Sequence, residues 1–138
     1  MQGTLFCMPK ISLDFQWSAA AWRRVPRLQA RLKRAAQVVA CVLRPPFSAN
    51  ATVLLGDNAK IRQLNFNFRG LDRATNVLSF PQFSAKEVRQ ITARKKPVEI
   101  GDIVLAYQYS AAEAKRENKV LLNHTTHLVV HGLLHLFG

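Results

Sequence analysis

The chain has 138 residues, of which 49% are hydrophobic and 20% charged, a balance typical of one globular domain rather than of a disordered segment. Twenty Lys and Arg residues against eight Asp and Glu give a formal net charge of +12, which favours a polyanionic partner such as nucleic acid and argues against a cationic substrate. The sequence shows neither a secretory pattern nor an apolar run long enough for a membrane span. We therefore expect a cytoplasmic protein, with residues 1–138 forming a single domain.

The first part of the chain predicts a strand and then a basic helix. Residues 11–17 alternate apolar and polar side chains, which indicates a half-buried strand. Between Pro26 and Pro45, leucine, alanine and valine recur at helical spacing. Pro26 is expected to break or start a helix there, and Pro45 to end it. Residues 1–44 hold eight Lys and Arg against Asp14 alone. This cluster is equally compatible with phosphate binding and with a solvated helix face.

The middle of the chain predicts a second strand, a second helix and a third strand. Residues 51–56 are an apolar run typical of a buried strand. Asp57 is suited to cap a helix that runs through about Asn67 and is closed by Gly70. The stretch TNVLSFP indicates another strand that stops at Pro81.

The last third predicts a loop, a strand and two helices. Residues 82–99 are polar and without clear period, so we expect a surface loop. A buried strand is predicted over 100–106, a helix capped by Ser110, and a final helix over about 122–138. The order β-α-β-α-β-loop-β-α-α predicts an α+β fold, in which a small mixed β-sheet is packed by helices.

Every histidine falls in the final predicted helix, at positions 124, 127, 131 and 135. At about 100° per residue the four occupy an arc of roughly 80° on one helix face. His131 and His135 are one turn apart, so both imidazoles can reach one metal ion. A pair of hydrogen-bonded core histidines explains the same spacing, because the surrounding residues are apolar.

The histidine pair differs from the motif of zinc peptidases. Those enzymes place a glutamate directly after the first histidine as general base, and here that position is Gly132. Cys7 and Cys41 are too far apart in sequence to form a zinc or redox motif, and we expect reduced thiols. A catalytic zinc usually takes three protein ligands, so the pair would be an incomplete set.

Three segments together resemble the YbeY family, bacterial endoribonucleases that act as 16S rRNA maturation factors. They are LNFNFRGLDRATNVLSFP at 64–81, GDIVLA at 101–106 and HLVVHGLLHLFG at 127–138. The resemblance implies a zincin-like α+β domain with the HxxxH pair on its C-terminal helix. It also implies a zinc cofactor.

The resemblance assigns ligands to that zinc ion. His131 and His135 match the first two histidines of the family signature H-G-x-L-H-L-x-G-Y-D-H, and the third would lie three residues beyond Gly138. On the 138 residues alone we therefore expect weak zinc binding. His127 precedes His131 by one turn and is expected either to pack or to support the ligands from the second coordination sphere.

The resemblance also assigns residues to the cleft. The functionally important arginine of the family matches Arg69. Spacing alone favours a loop arginine paired with Asp72 on the surface, and the motif match reverses that preference. Asn76, where many members have Asp, and Ser79, with its neighbour Phe80, match the strand that lines the metal cleft.

The implied activity is cleavage of single-stranded RNA, with rRNA, the small ribosomal subunit or its assembly factors as partners. Two other functions remain open. One is a metal-dependent hydrolase of another substrate class, and the other is a non-catalytic, basic, ribosome-associated RNA-binding protein.

Overall fold

The computed structural model describes residues 9–138, so Cys7 lies outside the described range. The described residues form four strands, five α-helices and one 3₁₀ helix. In chain order these are β1 (Ile11–Trp17), the 3₁₀ helix (Ala20–Arg24), α1 (Leu28–Leu43), β2 (Ala49–Gly56), α2 (Asn58–Arg69), β3 (Val77–Pro81), α3 (Ala85–Arg89), β4 (Val98–Ala106), α4 (Tyr107–Arg116) and α5 (Leu121–Phe137).

The four strands form one mixed sheet in the order β1-β2-β4-β3. β1 pairs with β2 and β2 with β4 in parallel, whereas β3 lies antiparallel to β4 at the edge. Ser79 of β3 is opposite Ile103 of β4. This arrangement confirms the predicted α+β class with a small mixed sheet.

Helices α1 and α5 cover one face of the sheet and bury the main core. The strands turn Val53, Leu55 and Ile103 toward these helices, and all three are fully buried. Helix α5 approaches β4 closely at Gly132, where a Cβ atom would lie 3.2 Å from three side-chain atoms of Ile103. The missing side chain therefore lets the helix backbone rest directly on the sheet.

Most predicted elements are present, and their ends shift by a few residues. Helix α2 begins after the predicted cap Asp57, whose Oδ1 accepts a hydrogen bond from the Lys60 amide at 2.8 Å. It ends at Arg69 rather than Asn67, because Gly70 adopts a left-handed φ of 70° and closes it there. Arg69 is thus the last residue of a helix and not part of a loop.

Two sequence predictions are wrong. Ser110 does not cap a helix, because α4 starts at Tyr107 directly after β4 and Ser110 is buried inside that helix. Residues 82–99 are not all loop, since they contain α3. The start of α3 is fixed by a capping box between Ser84 and Glu87, and the helix buries Val88.

Two further findings concern Cys41 and the lengths of the helices. Cys41 is exposed. Within residues 9–138, none of the helices combines the length and the apolar character that crossing a bilayer requires.

Candidate functional site

A cleft of about 710 Å³ opens between β3 and α5, and α4 and the end of α2 complete its walls. Six of the residues that the sequence singled out line this one cleft: Arg69, Asn76, Ser79, His127, His131 and His135. They come from three separate parts of the fold, which brings together residues up to 66 positions apart in the chain.

His131 and His135 point their side chains at each other across one helical turn. Their Nε2 atoms are 2.9 Å apart and their rings meet edge to face at 80°. Both side chains are exposed, so the pair faces the cleft and not the core. Zinc binds imidazole nitrogen at about 2.0–2.1 Å, and two nitrogens this close can therefore contact one ion.

The pair fits two positions of a three-ligand zinc site. Within residues 9–138, no group of three or more His, Cys, Asp or Glu side chains is arranged to hold a metal ion. His127 is exposed in the cleft one turn earlier, so it is not packed in the core.

His124 differs from the other three histidines because it is buried. Its Nε2 lies 2.6 Å from Oε1 of Glu113, and its side chain is 5% exposed. Oε1 of Glu113 also accepts a hydrogen bond of 2.8 Å from Nδ2 of Asn76. His124 is therefore a hydrogen-bonded core histidine, whereas the histidines at 127, 131 and 135 are exposed.

The pKa of Glu113 lies below its ordinary value. Burial is the largest influence and acts to raise it, but hydrogen bonds from Asn76 and His124, together with positive charge that includes Arg116, outweigh burial. Glu113 is consequently an ionised carboxylate in the cleft wall at neutral pH. Sequence spacing does not identify Glu113, because its partners lie 37 and 11 positions away.

Arg69 lies at the C-terminal end of α2 with its side chain exposed in the cleft. Its suggested partner Asp72 is instead bound by Arg62, whose Nε lies 2.7 Å from Oδ1. Phe80, the neighbour of Ser79, lies on the opposite face of the sheet and meets Phe68 edge to face. Val77, Leu78, Ser79 and Pro81 of β3 line the cleft, whereas Phe80 does not.

The fold and the cleft define an α+β protein in which a histidine pair suited to a metal ion shares an open cleft with an arginine suited to an anion. Residues 16–138 match the family model described as Endoribonuclease YbeY. The chain belongs to the YbeY endoribonuclease family. This membership supports nuclease activity on RNA.

Two named relatives agree with this assignment, and a solved structure shares the fold. A protein named Endoribonuclease YbeY from Chelativorans sp. (strain BNC1) is 38% identical over 130 residues, which are 94% of this chain and 77% of the relative. One of the same name from Bradyrhizobium diazoefficiens is 42% identical over 122 residues, or 87% of this chain and 65% of the relative. The solution structure of TM1509 from Thermotoga maritima shares the fold with a TM-score of 0.58, at 24% identity over 93% of this chain and 72% of that protein.

Proposed function

We propose that the protein is a zinc-dependent endoribonuclease for single-stranded RNA that acts in maturation of the 16S rRNA 3′ end. The observation that carries the proposal is the shared cleft, because His131, His135 and Arg69 open onto one space in a member of an endoribonuclease family. The proposed partners are rRNA, the small ribosomal subunit and its assembly factors, and the proposed location is the cytoplasm.

His131 and His135 would hold the zinc ion, with a third ligand after Gly138. When bound, zinc supplies a Lewis acid and a water molecule whose pKa is near neutral. Arg69 would present its planar, permanently charged guanidinium to the phosphate undergoing cleavage and stabilise the additional negative charge of the transition state. The net charge of +12 would attract RNA irrespective of its sequence.

Cleavage of single-stranded RNA by the full-length protein tests this function. We expect cleavage with zinc, loss of cleavage on chelation, and little cleavage of duplex RNA, peptides or simple phosphate esters. Arg69→Glu should abolish cleavage, whereas the matched charge reversal Arg73→Glu, at an exposed residue outside the cleft, should reduce it modestly.

Other results would contradict parts of the proposal. Normal cleavage by Arg69→Glu would remove Arg69 from the mechanism, and cleavage that survives chelation would remove zinc. Preferred hydrolysis of peptides or phosphate esters would indicate another class of hydrolase. RNA binding that is unaffected by chelation and never leads to cleavage would indicate a binding protein.

A further inference from the structure

Glu113 is held in the cleft wall through only one of its two carboxylate oxygens. Asn76 Nδ2 and His124 Nε2 both bind Oε1, at 2.8 and 2.6 Å. The amide of Asn76 cannot flip without loss, because its Oδ1 accepts a hydrogen bond of 2.7 Å from the Val77 amide. These contacts fix which oxygen is occupied.

The second oxygen, Oε2, is available to a ligand. Among residues 9–138 it has no hydrogen-bond partner, and it is not among the buried polar atoms left unpaired. Glu113 lines the cleft with 15% of its side chain exposed. The exposed part of the carboxylate is therefore an acceptor that faces the substrate space.

A carboxylate held in place, such as that of Glu113, is unexpected in a cleft that is proposed to bind phosphate. The other carboxylate in the cleft, Glu117, is neutralised by Lys119 at 3.0 Å. Glu113 has no Lys or Arg salt bridge among the described residues. An ionised carboxylate repels phosphate and accepts hydrogen bonds only, so a nucleic acid must meet Oε2 with a donor group.

The position of Glu113 separates it from the histidine pair. His124, which binds Glu113, precedes His131 by seven residues, or about 10.5 Å along a helix axis. A phosphate bound at the histidine pair would therefore place a flanking nucleotide, and not the phosphate itself, beside Glu113. The ribose is bonded directly to that phosphate, and its 2′-hydroxyl is the donor that distinguishes RNA from DNA.

We propose that Oε2 of Glu113 accepts a hydrogen bond from the 2′-hydroxyl of a nucleotide that flanks the phosphate at Arg69 and the histidine pair. Glu113 would thus make the cleft bind RNA more tightly than DNA, because only RNA carries the 2′-hydroxyl. This inference rests on the proposed function, because it requires RNA to occupy the cleft.

The variant Glu113→Gln tests the proposal with almost no change in shape. The glutamine oxygen can keep the hydrogen bonds from Asn76 and His124, which places its NH₂ group where Oε2 was. The cleft then presents a donor instead of an acceptor at the same point. Glu117→Gln is the matched control, since it removes the same charge from the same cleft.

The measurement is the dissociation constant of the full-length protein for a single-stranded RNA and for DNA of the same sequence, in EDTA to prevent cleavage. We expect wild type and Glu117→Gln to prefer RNA by about tenfold, the value for one hydrogen bond to a charged acceptor. Glu113→Gln should lower the ratio to about threefold, because the 2′-hydroxyl can still accept from the glutamine amide but a neutral hydrogen bond is about half as strong as one to a carboxylate. Wild type should bind an RNA with a single 2′-deoxy nucleotide about tenfold more weakly when that nucleotide is at one particular position, and with unchanged affinity when it is elsewhere. This measurement needs no variant protein.

Several results would overturn the inference. If Glu113→Gln folds, as circular dichroism would show, but keeps the wild-type preference for RNA, the assignment is wrong. If it strengthens RNA and DNA binding equally, Glu113 acts through charge alone. If its effect follows base identity and not the sugar, the donor is a base amino group. Wild type that cleaves RNA but shows no sugar preference refutes only this inference, whereas wild type that neither binds nor cleaves RNA refutes the proposed function too.

Discussion

Arg62 and Asp72 form a two-point ion pair, with Nε to Oδ1 at 2.7 Å and the second guanidinium nitrogen to Oδ2 at 3.2 Å. This contact occupies the acid that the sequence offered as a partner for Arg69. Arg69 follows Arg62 by two turns of the same helix and faces the cleft instead. The guanidinium of Arg62 is therefore neutralised by a carboxylate, whereas that of Arg69 is exposed in the cleft, although both lie on the same helix.

This difference predicts unequal effects on the salt dependence of RNA binding. Each phosphate contact on a single strand contributes about −0.7 to the slope of log affinity against log salt concentration. Arg69→Ala should make the slope shallower by about 0.7, whereas Arg62→Ala should leave it nearly unchanged, because Asp72 already neutralises that guanidinium. Binding isotherms at several salt concentrations measure both slopes, and equal changes would contradict the assignment of Arg69 to phosphate.

The histidine pair predicts a graded loss of zinc affinity. His131→Ala and His135→Ala each remove a proposed ligand and should weaken binding by more than the roughly 10–100-fold that loss of a supporting residue costs. His127→Ala, on the same helix face, should have a smaller effect. Zinc titration followed by calorimetry provides the comparison. Identical affinities for the His127→Ala and His131→Ala variants would show that the pair is not the metal site.

The lowered pKa of Glu113 predicts a specific acid sensitivity. A carboxyl group with a lowered folded-state pKa stabilises the fold fully above its ordinary pKa, 4.5, and this contribution is lost as the pH falls through the lowered value. Wild type should therefore be more stable than Glu113→Gln at pH 7, by about 1–2 kcal/mol, and the difference should shrink below pH 4.5. Urea unfolding from pH 7 downward measures it. A difference that grows on acidification would contradict the pKa direction.

Two glycines with positive φ predict different costs of a methyl group. At Gly70 (φ 70°) a Cβ atom would meet no other atom within 4 Å, so Gly70→Ala should cost only backbone strain, about 1 kcal/mol. At Gly101 (φ 142°) the Cβ would lie 2.3 Å from the Phe80 carbonyl oxygen. Gly101→Ala should therefore cost about 3 kcal/mol or more. Chemical denaturation of both variants tests the ranking, which similar losses would overturn.

The sequence predicted the strands and most helices because their cues are local. Alternation and apolar runs located the strands, and Asp57 and Gly70 set the ends of α2 through contacts close in the chain. The prediction that Ser110 caps a helix is wrong because serine also occurs inside helices, so the residue type alone does not distinguish the two positions. There, burial by neighbouring elements, which the sequence does not show, decided the outcome.

The family motifs identified six residues that share a cleft, but they did not identify Glu113 as their neighbour. Its environment depends on Asn76, directly before β3, and on His124 from α5. Such a contact depends on how three elements pack together. No spacing rule within one element could reveal it.

The close approach of Gly132 to Ile103 explains why this cleft does not have the arrangement of a zinc peptidase. A glutamate at position 132, the general base of that mechanism, would direct its side chain into Ile103. Its Cβ atom alone would lie 3.2 Å from Ile103, tighter than ordinary van der Waals contact, so Ile103 or the helix would have to shift. One absent side chain thus sets how deeply the histidine helix is seated, and the same contact leaves little room at position 132 for the side chain on which zinc peptidases depend.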